Sequence, residues 1–146
     1  MEFAALQPGL VGEAQTVVVP ENTAWHMGSG GVAVFATPAM IALMEQAAVQ
    51  AVTPHLPPGW QTVGVHVDVQ HLAATPLGLT VTARAELLEV EGRRLTFRVT
   101  AHDGQELIGE GTHRRALIDL ARFQARVAAK QTTHDTQPIV PRPSEG

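Results

Sequence analysis

Thr37-Pro38-Ala39-Met40-Ile41-Ala42-Leu43-Met44-Glu45-Gln46-Ala47-Ala48-Val49-Gln50-Ala51-Val52 is the stretch that decides the fold. A threonine followed by proline reads as a helix start. The hydroxyl suits an N-cap that accepts from the first free backbone N–H groups, and proline suits the first helical position. The helix is expected from about Pro38 to Val52, stopping before Pro54. Hardly any polar face remains in it, and a helix apolar all round is one wrapped by other structure. Glu45 is the only charge between Gly28 and Val52. Burying a carboxylate is costly unless it is paired or neutralised, so Glu45 marks a place to look for chemistry.

After the Pro/Gly turn at His55 to Gly59 the period changes to two. Val63, Val65, Val67 and Val69 alternate with Gly64, His66, Asp68 and Gln70, and the valines form the expected inner face, which His71 closes. Leu79, Val81, Ala83, Ala85 and Leu87 make a second such face, and Leu95, Phe97, Val99 and Ala101 a third. Each is a half-buried antiparallel strand with one wet side. Glu91-Gly92 and Asp103-Gly104 are hairpin signals between successive strands. A last strand, from about Glu106 to Leu117, carries Gly109 and Gly111, where a helix or ligand can come close to the backbone. Upstream, Ala14 to Val19 reads as a first strand. Residues 21–36, with Gly28, Gly30 and Gly31, read as a mobile loop. A short helix is expected from about Ile118 to Lys130. The stretch Gln131 to Gly146, with three prolines, reads as a flexible tail outside a domain spanning residues 1–130.

One apolar helix, preceded by a strand and followed by four antiparallel strands, defines an α+β arrangement. It is the hot-dog fold, a central helix wrapped by a curved antiparallel sheet of about five strands. One sheet covers one side of the helix and leaves a strand edge open. The expected particle is therefore a homodimer, or a tetramer built from dimers.

Composition narrows the function classes. With 146 residues the chain is one domain by length, able to bury about two-thirds of its unfolded surface. A net charge of −4 and the lack of a Lys/Arg stripe argue against a nucleic-acid partner. The absence of cysteine removes disulfides, thiolate nucleophiles and Cys-based zinc sites. No signal-peptide pattern and no apolar run of about 18 residues stand out, so a cytoplasmic protein with no membrane partner is expected.

Several segments then resemble one family. Val34-Phe35-Ala36-Thr37-Pro38-Ala39-Met40, Glu45, and Gln70-His71-Leu72-Ala73-Ala74-Thr75-Pro76-Leu77-Gly78 look like the fluoroacetyl-CoA thioesterase group of hot-dog proteins. Val90-Glu91-Gly92-Arg93-Arg94-Leu95, Ala101-His102-Asp103-Gly104, Ile108-Gly109 and Gly111-Thr112-His113 extend the similarity over roughly residues 10–120. The resemblance implies that Thr37, Glu45 and His71 form a catalytic set hydrolysing an acyl-CoA thioester. It also implies that Gly64 lines the reacting centre and that Arg115 serves the CoA side. No cofactor is implied, because coenzyme A is part of the substrate. One departure stands out. The fluoroacetyl enzymes close over their acyl group with phenylalanines before the threonine, where this chain reads His26-Met27-Gly28-Ser29-Gly30-Gly31. Fluoroacetyl selectivity is therefore not expected.

The residue types fit that chemistry. An ionised Glu45 can activate water or carry an acyl group. His71 can move a proton near neutral pH, and Thr37 stands where a helix N-terminus favours a developing oxyanion. Eight residues of helix span about 12 Å, so Thr37 and Glu45 of one chain cannot hydrogen-bond directly. Substrate, water or a second subunit must lie between them. His66 and Asp68 are expected on a solvated face, with no third ligand for a metal. Two other functions fit the same architecture: an acyl-CoA hydratase or dehydratase, and a non-catalytic acyl-CoA binding or sensing domain.

Overall fold

The computed structural model describes residues 3–135. Strand β1 (Val11–Val17) is followed by a 3-10 turn at Pro20–Asn22 and a one-turn helix α1 (Ala24–Met27). The long helix α2 (Thr37–Val52) comes next, extended by a 3-10 turn at Thr53–His55. Strands β2 (Trp60–His71), β3 (Thr80–Glu91), β4 (Arg94–His102) and β5 (Leu107–Asp119) follow, and helix α3 (Leu120–Asp135) closes the described chain. The sheet is antiparallel throughout, in the order β1-β3-β4-β5-β2.

The period-two readings of β3 and β4 hold. Val81, Ala83, Ala85 and Leu87 of β3, and Leu95, Phe97, Val99 and Ala101 of β4, are buried against Met40, Leu43, Met44, Ala47, Ala48, Ala51 and Val52 of α2. Small residues set how closely the helix lies on the sheet. A side chain at Gly12 would strike the Ala47 carbonyl and the Ala51 backbone, so β1 passes directly against α2. A side chain at Gly109 would strike Met40, the close helix approach expected there. At Gly111 the crowding comes from the neighbouring strand, at Asp68 and Val69.

Several boundaries differ from the reading of the sequence. β1 begins at Val11, three residues before the expected Ala14, because its buried phase starts at Gly12, which carries no apolar side chain to signal it. Residues 21–36 are not plain loop. Thr23 caps α1 through His26 N, Gly28 ends it with φ +75°, and Thr23 pairs with Phe35 across a bridge. β2 lies at the sheet edge, paired with β5, and residues 72–79 cross from it to β3. α3 runs to Asp135, beyond both the expected helix end at Lys130 and the domain boundary there; residues 136–146 of the expected tail lie outside the described residues.

The expected all-round burial of α2 is corrected. Pro38, Ala42, Gln46 and Gln50 are exposed, and Ile41, Glu45 and Val49 are half-buried, so one stripe of the helix is uncovered in the single chain. The curved sheet reaches around the other faces and stops.

Candidate active site

A bulge in β2 decides which side chains meet. Gly64 pairs with Arg115 and His66 with Arg114, leaving Val65 as the extra residue. The bulge shifts the alternation by one. Thr62 and Gly64 before it, and Val67, Val69 and His71 after it, stand opposite the inward residues Leu117, Arg115, His113, Gly111 and Gly109 of β5. The expected inner face of four valines is therefore wrong for Val63 and Val65. Val65 is 51 % exposed, and the bulge instead places Gly64 and His71 on the same face, toward α2.

Around Gly64 a network forms. Arg115 is 6 % exposed and donates from Nη1 to Glu45 Oε2 at 3.1 Å, from Nε to Thr62 Oγ1 at 2.9 Å and from Nη2 to the Thr62 carbonyl at 3.1 Å. Its Nη1 also meets His113 Nε2 at 3.1 Å. His113 is buried, stacked on Phe97, and its Nδ1 lies 2.8 Å from the His66 carbonyl. Because a carbonyl only accepts, Nδ1 carries the proton and Nε2 accepts from Arg115. Burial lowers the pKa of His113, and the Arg115 charge lowers it further, so the ring is neutral near pH 7. Burial also lowers the Arg115 pKa, opposed by the Glu45 charge, and the guanidinium stays cationic.

Glu45 departs from expectation in one respect. Its side chain is 40 % exposed, so it is not a buried charge in the single chain. It borders an open cleft of about 640 Å³ with Ala42, Gln46, Val49, Pro54 and Arg115, along the uncovered stripe of α2. Gly64 makes room for it. A Cβ there would collide with Glu45 Oε2 and lie 3.3 Å from both Arg115 Nη1 and His113 Cε1.

Thr37 and His71 form a second pair. Thr37 Oγ1 lies 2.7 Å from His71 Nδ1. The N-cap role expected for Thr37 is not what the structure holds. Ala36, with extended backbone at ψ 143°, is the N-cap, and no side chain caps the helix. Thr37 is thus already helical, and its hydroxyl is turned to the end of β2. His71 Nε2 is buried without a hydrogen-bond partner among the described residues. Burial pushes the His71 pKa below the usual imidazole value, and the Ala73 backbone offsets this only in part. The pair opens on a hollow of about 340 Å³ walled by Ala24, Ser29, Phe35 and Leu72 among others.

Each half-site is held by its own scaffold. Thr75 accepts the Phe35 N–H and donates its hydroxyl to Asp103 Oδ2 at 3.0 Å, while Leu72 N–H bonds to Ile108. The chain entering Thr37 and the chain leaving His71 are thereby tied to the β4–β5 turn. Within one chain the structure brings together Thr37 with His71, and Glu45 with Gly64 and Arg115, but not the three expected catalytic side chains at one point. The sequence reading missed Thr62 and His113. The signal was present in β5, where His113 and Arg115 share the phase of the buried Leu117, a polar run on a core face.

A single central helix backed by a curved five-stranded antiparallel sheet defines a hot-dog protein. Residues 18–121 match the fluoroacetyl-CoA-specific thioesterase family, and the chain belongs to that family. It is 57 % identical over 97 residues, 66 % of this chain and 70 % of the relative, to the fluoroacetyl-CoA thioesterase of Streptantibioticus cattleyicolor. A solved fluoroacetyl-CoA thioesterase superposes with a TM-score of 0.78 at 48 % identity, over 86 % of this chain and 97 % of that one. A thioesterase superfamily member from Thermus thermophilus superposes with a TM-score of 0.83 at 28 % identity, over 90 % and 97 %. Both the hot-dog fold and the thioesterase class expected from the sequence are thus established.

Proposed function

We propose that this chain hydrolyses an acyl-CoA thioester to the carboxylic acid and free coenzyme A, using Thr37, Glu45 and His71, without a metal or other cofactor. The observation that carries the reading is the placement of two polar pairs along one helix. Glu45 is oriented by Arg115 at the mouth of an apolar cleft, and Thr37 is bonded to a neutral His71 at the helix start. Glu45 Oε2 is engaged by Arg115, which holds the carboxylate in one orientation for work as a base or nucleophile.

In the base version, Glu45 takes a proton from water as the water oxygen bonds to the thioester carbonyl carbon. The C–S bond then breaks, and the proton that Glu45 took from water passes to the departing thiolate, with neutral His71 relaying it by accepting it before giving it up. The Thr37 hydroxyl fixes the imidazole and, at the helix N-terminus, favours negative charge on the carbonyl oxygen. In the nucleophile version, Glu45 carries the acyl group and water releases it in a second step.

The uncovered stripe of α2 and the open edge of β2, with Val65 and Val67 exposed, support a homodimer in which a second subunit completes the cleft. A tetramer of such dimers is compatible with the same surfaces. No helix among the described residues is long and apolar enough to cross a membrane, which fits the cytoplasmic placement proposed here. The glycines at 28, 30 and 31 support an acyl site that accepts groups larger than acetyl.

A thiol-release assay over acyl-CoAs of graded length and polarity tests the reading. Turnover of at least one with kcat lost in Glu45→Gln is the expected result. Tight acyl-CoA binding with no thiol release would instead make the chain a binding domain.

A further inference from the structure

We infer that His113 is the positioning residue that joins the two halves of this site, holding the β2 bulge with one ring nitrogen and Arg115 with the other. The inference rests on the Glu45 role proposed above. Its basis is a set of contacts made by one buried side chain. His113 Nδ1 donates to the carbonyl of His66, the residue just after the bulged Val65. A regular ladder would let this strand slip by one residue, turning His71 away from α2 or Gly64 away from Glu45. An N–H···O bond from the facing strand to that carbonyl fixes the bulge where both residues point inward. On the other side of the ring, Nε2 accepts from Arg115 Nη1, the same nitrogen that donates to Glu45. Thr62 holds the rest of the guanidinium through Nε and Nη2. Arg115 therefore has no freedom to follow Glu45, and Glu45 is aimed by Arg115.

The arrangement works for one protonation state and one tautomer. Nε2 faces Arg115 Nη1 at 3.1 Å and Glu45 Oε2 at 3.8 Å, Nδ1 faces the His66 carbonyl with the His66 imidazole beyond it, and Phe97 of β4 covers the ring face. A proton on Nε2 would set two donors against each other and offer Glu45 a second cation in place of Arg115. Protonating His113 should therefore turn Glu45 away from its aimed position. The acid limb of kcat/KM would then carry His113 together with His71.

Two substitutions separate positioning from bulk. His113→Gln can keep an acceptor near the Nε2 position, whereas His113→Phe keeps the ring and its stacking but neither hydrogen bond. The expected results are a kcat within several-fold of the parent for His113→Gln, and a loss of about a hundredfold for His113→Phe with KM little changed. The acid limb of kcat/KM in His113→Gln should become shallower by one proton. Nitrogen-15 spectra of the full chain should show His113 Nδ1 protonated and Nε2 bare at neutral pH.

Equal losses in both variants, parental kcat in His113→Phe, or a protonated Nε2 at neutral pH would each overturn the inference. Should His113→Phe not fold, the glutamine variant and the nitrogen spectrum decide alone. If Glu45→Gln leaves turnover intact, the catalytic reading of Glu45 falls, while the spectrum still decides whether His113 holds Arg115 and the bulge.

Discussion

Glu45→Gln keeps the shape of the side chain and removes its charge, so Arg115 loses its ionic partner while the cleft keeps its form. We expect kcat to fall by roughly a hundredfold or more, with the affinity for free CoA largely retained. Steady-state kinetics and a CoA titration together check this, and turnover within a few-fold of the parent would make Glu45 structural. Gly64→Ala probes the same point from the other side. The added methyl would occupy the space of Glu45 Oε2, with Arg115 and His113 in contact beside it. The carboxylate end is the part that can move, so the fold should survive. kcat should drop by about a hundredfold from misplacement alone. An unaltered kcat with an unaltered melting temperature would show that Glu45 has another productive position. At this scale the sequence was half legible. Glu45 stood out because nothing else charged lies near it, and Thr37 because it precedes Pro38. His113 and Arg115 were legible as a polar run in the phase of Leu117, but their link to Thr62 was not, since a bulge at Val65 changes which residues of β2 face inward and leaves no mark in an alternating valine run.

Among the elements, those whose apolar side chains announce themselves were read best. β3 kept its phase from Val81 to Leu87 and β4 from Leu95 to Ala101 because each inward position carries a core residue. β1 was displaced because Gly12 is inward yet silent, and α1 was missed because its four residues are too few for a periodic signal. α1 bears on substrate choice, since the segment from Ala24 to Phe35 walls the Thr37–His71 hollow. Phe35 is the bulky group that lines it, held in the core, while Trp25 at 71 % exposure stands away from the core. Gly28, Gly30 and Gly31 fill no volume. One methylene in an apolar pocket is worth about 1–3 kcal/mol, so discrimination among acyl groups should be gradual. We expect acyl groups larger than acetyl to be accepted, and kcat/KM for fluoroacetyl-CoA to lie within about a thousandfold of that for acetyl-CoA. A larger ratio would mean that Trp25 or another group closes the pocket.

For the whole molecule, acid should weaken the fold. His71 and His113 both have folded pKa values lowered by burial, so the unfolded chain takes up their protons first as the pH drops below about 6.5. Stability is then lost as the pH falls from that value toward the folded values, and rises with pH through the same window. The urea midpoint at pH 5.5 should lie below that at pH 7.5, and equal midpoints would mean both rings are solvated. Assembly is the remaining expectation at this scale. A closed domain of this size would cover its central helix, yet α2 leaves Ala42, Gln46 and Gln50 bare along a cleft that holds Glu45. β2 ends the sheet with unpaired backbone groups and exposed valines, a surface that invites pairing with another strand. A second copy would cover both features at once, and would carry its own Thr37 and His71 toward an interface shared with this Glu45. That last point answers the distance of about 12 Å that separates the two half-sites along one helix. Sedimentation at micromolar concentration should therefore give a species of at least twice 15.5 kDa. A stable monomer that still turns over substrate would require both half-sites of one chain to act on a single thioester, and would remove the second subunit from the mechanism.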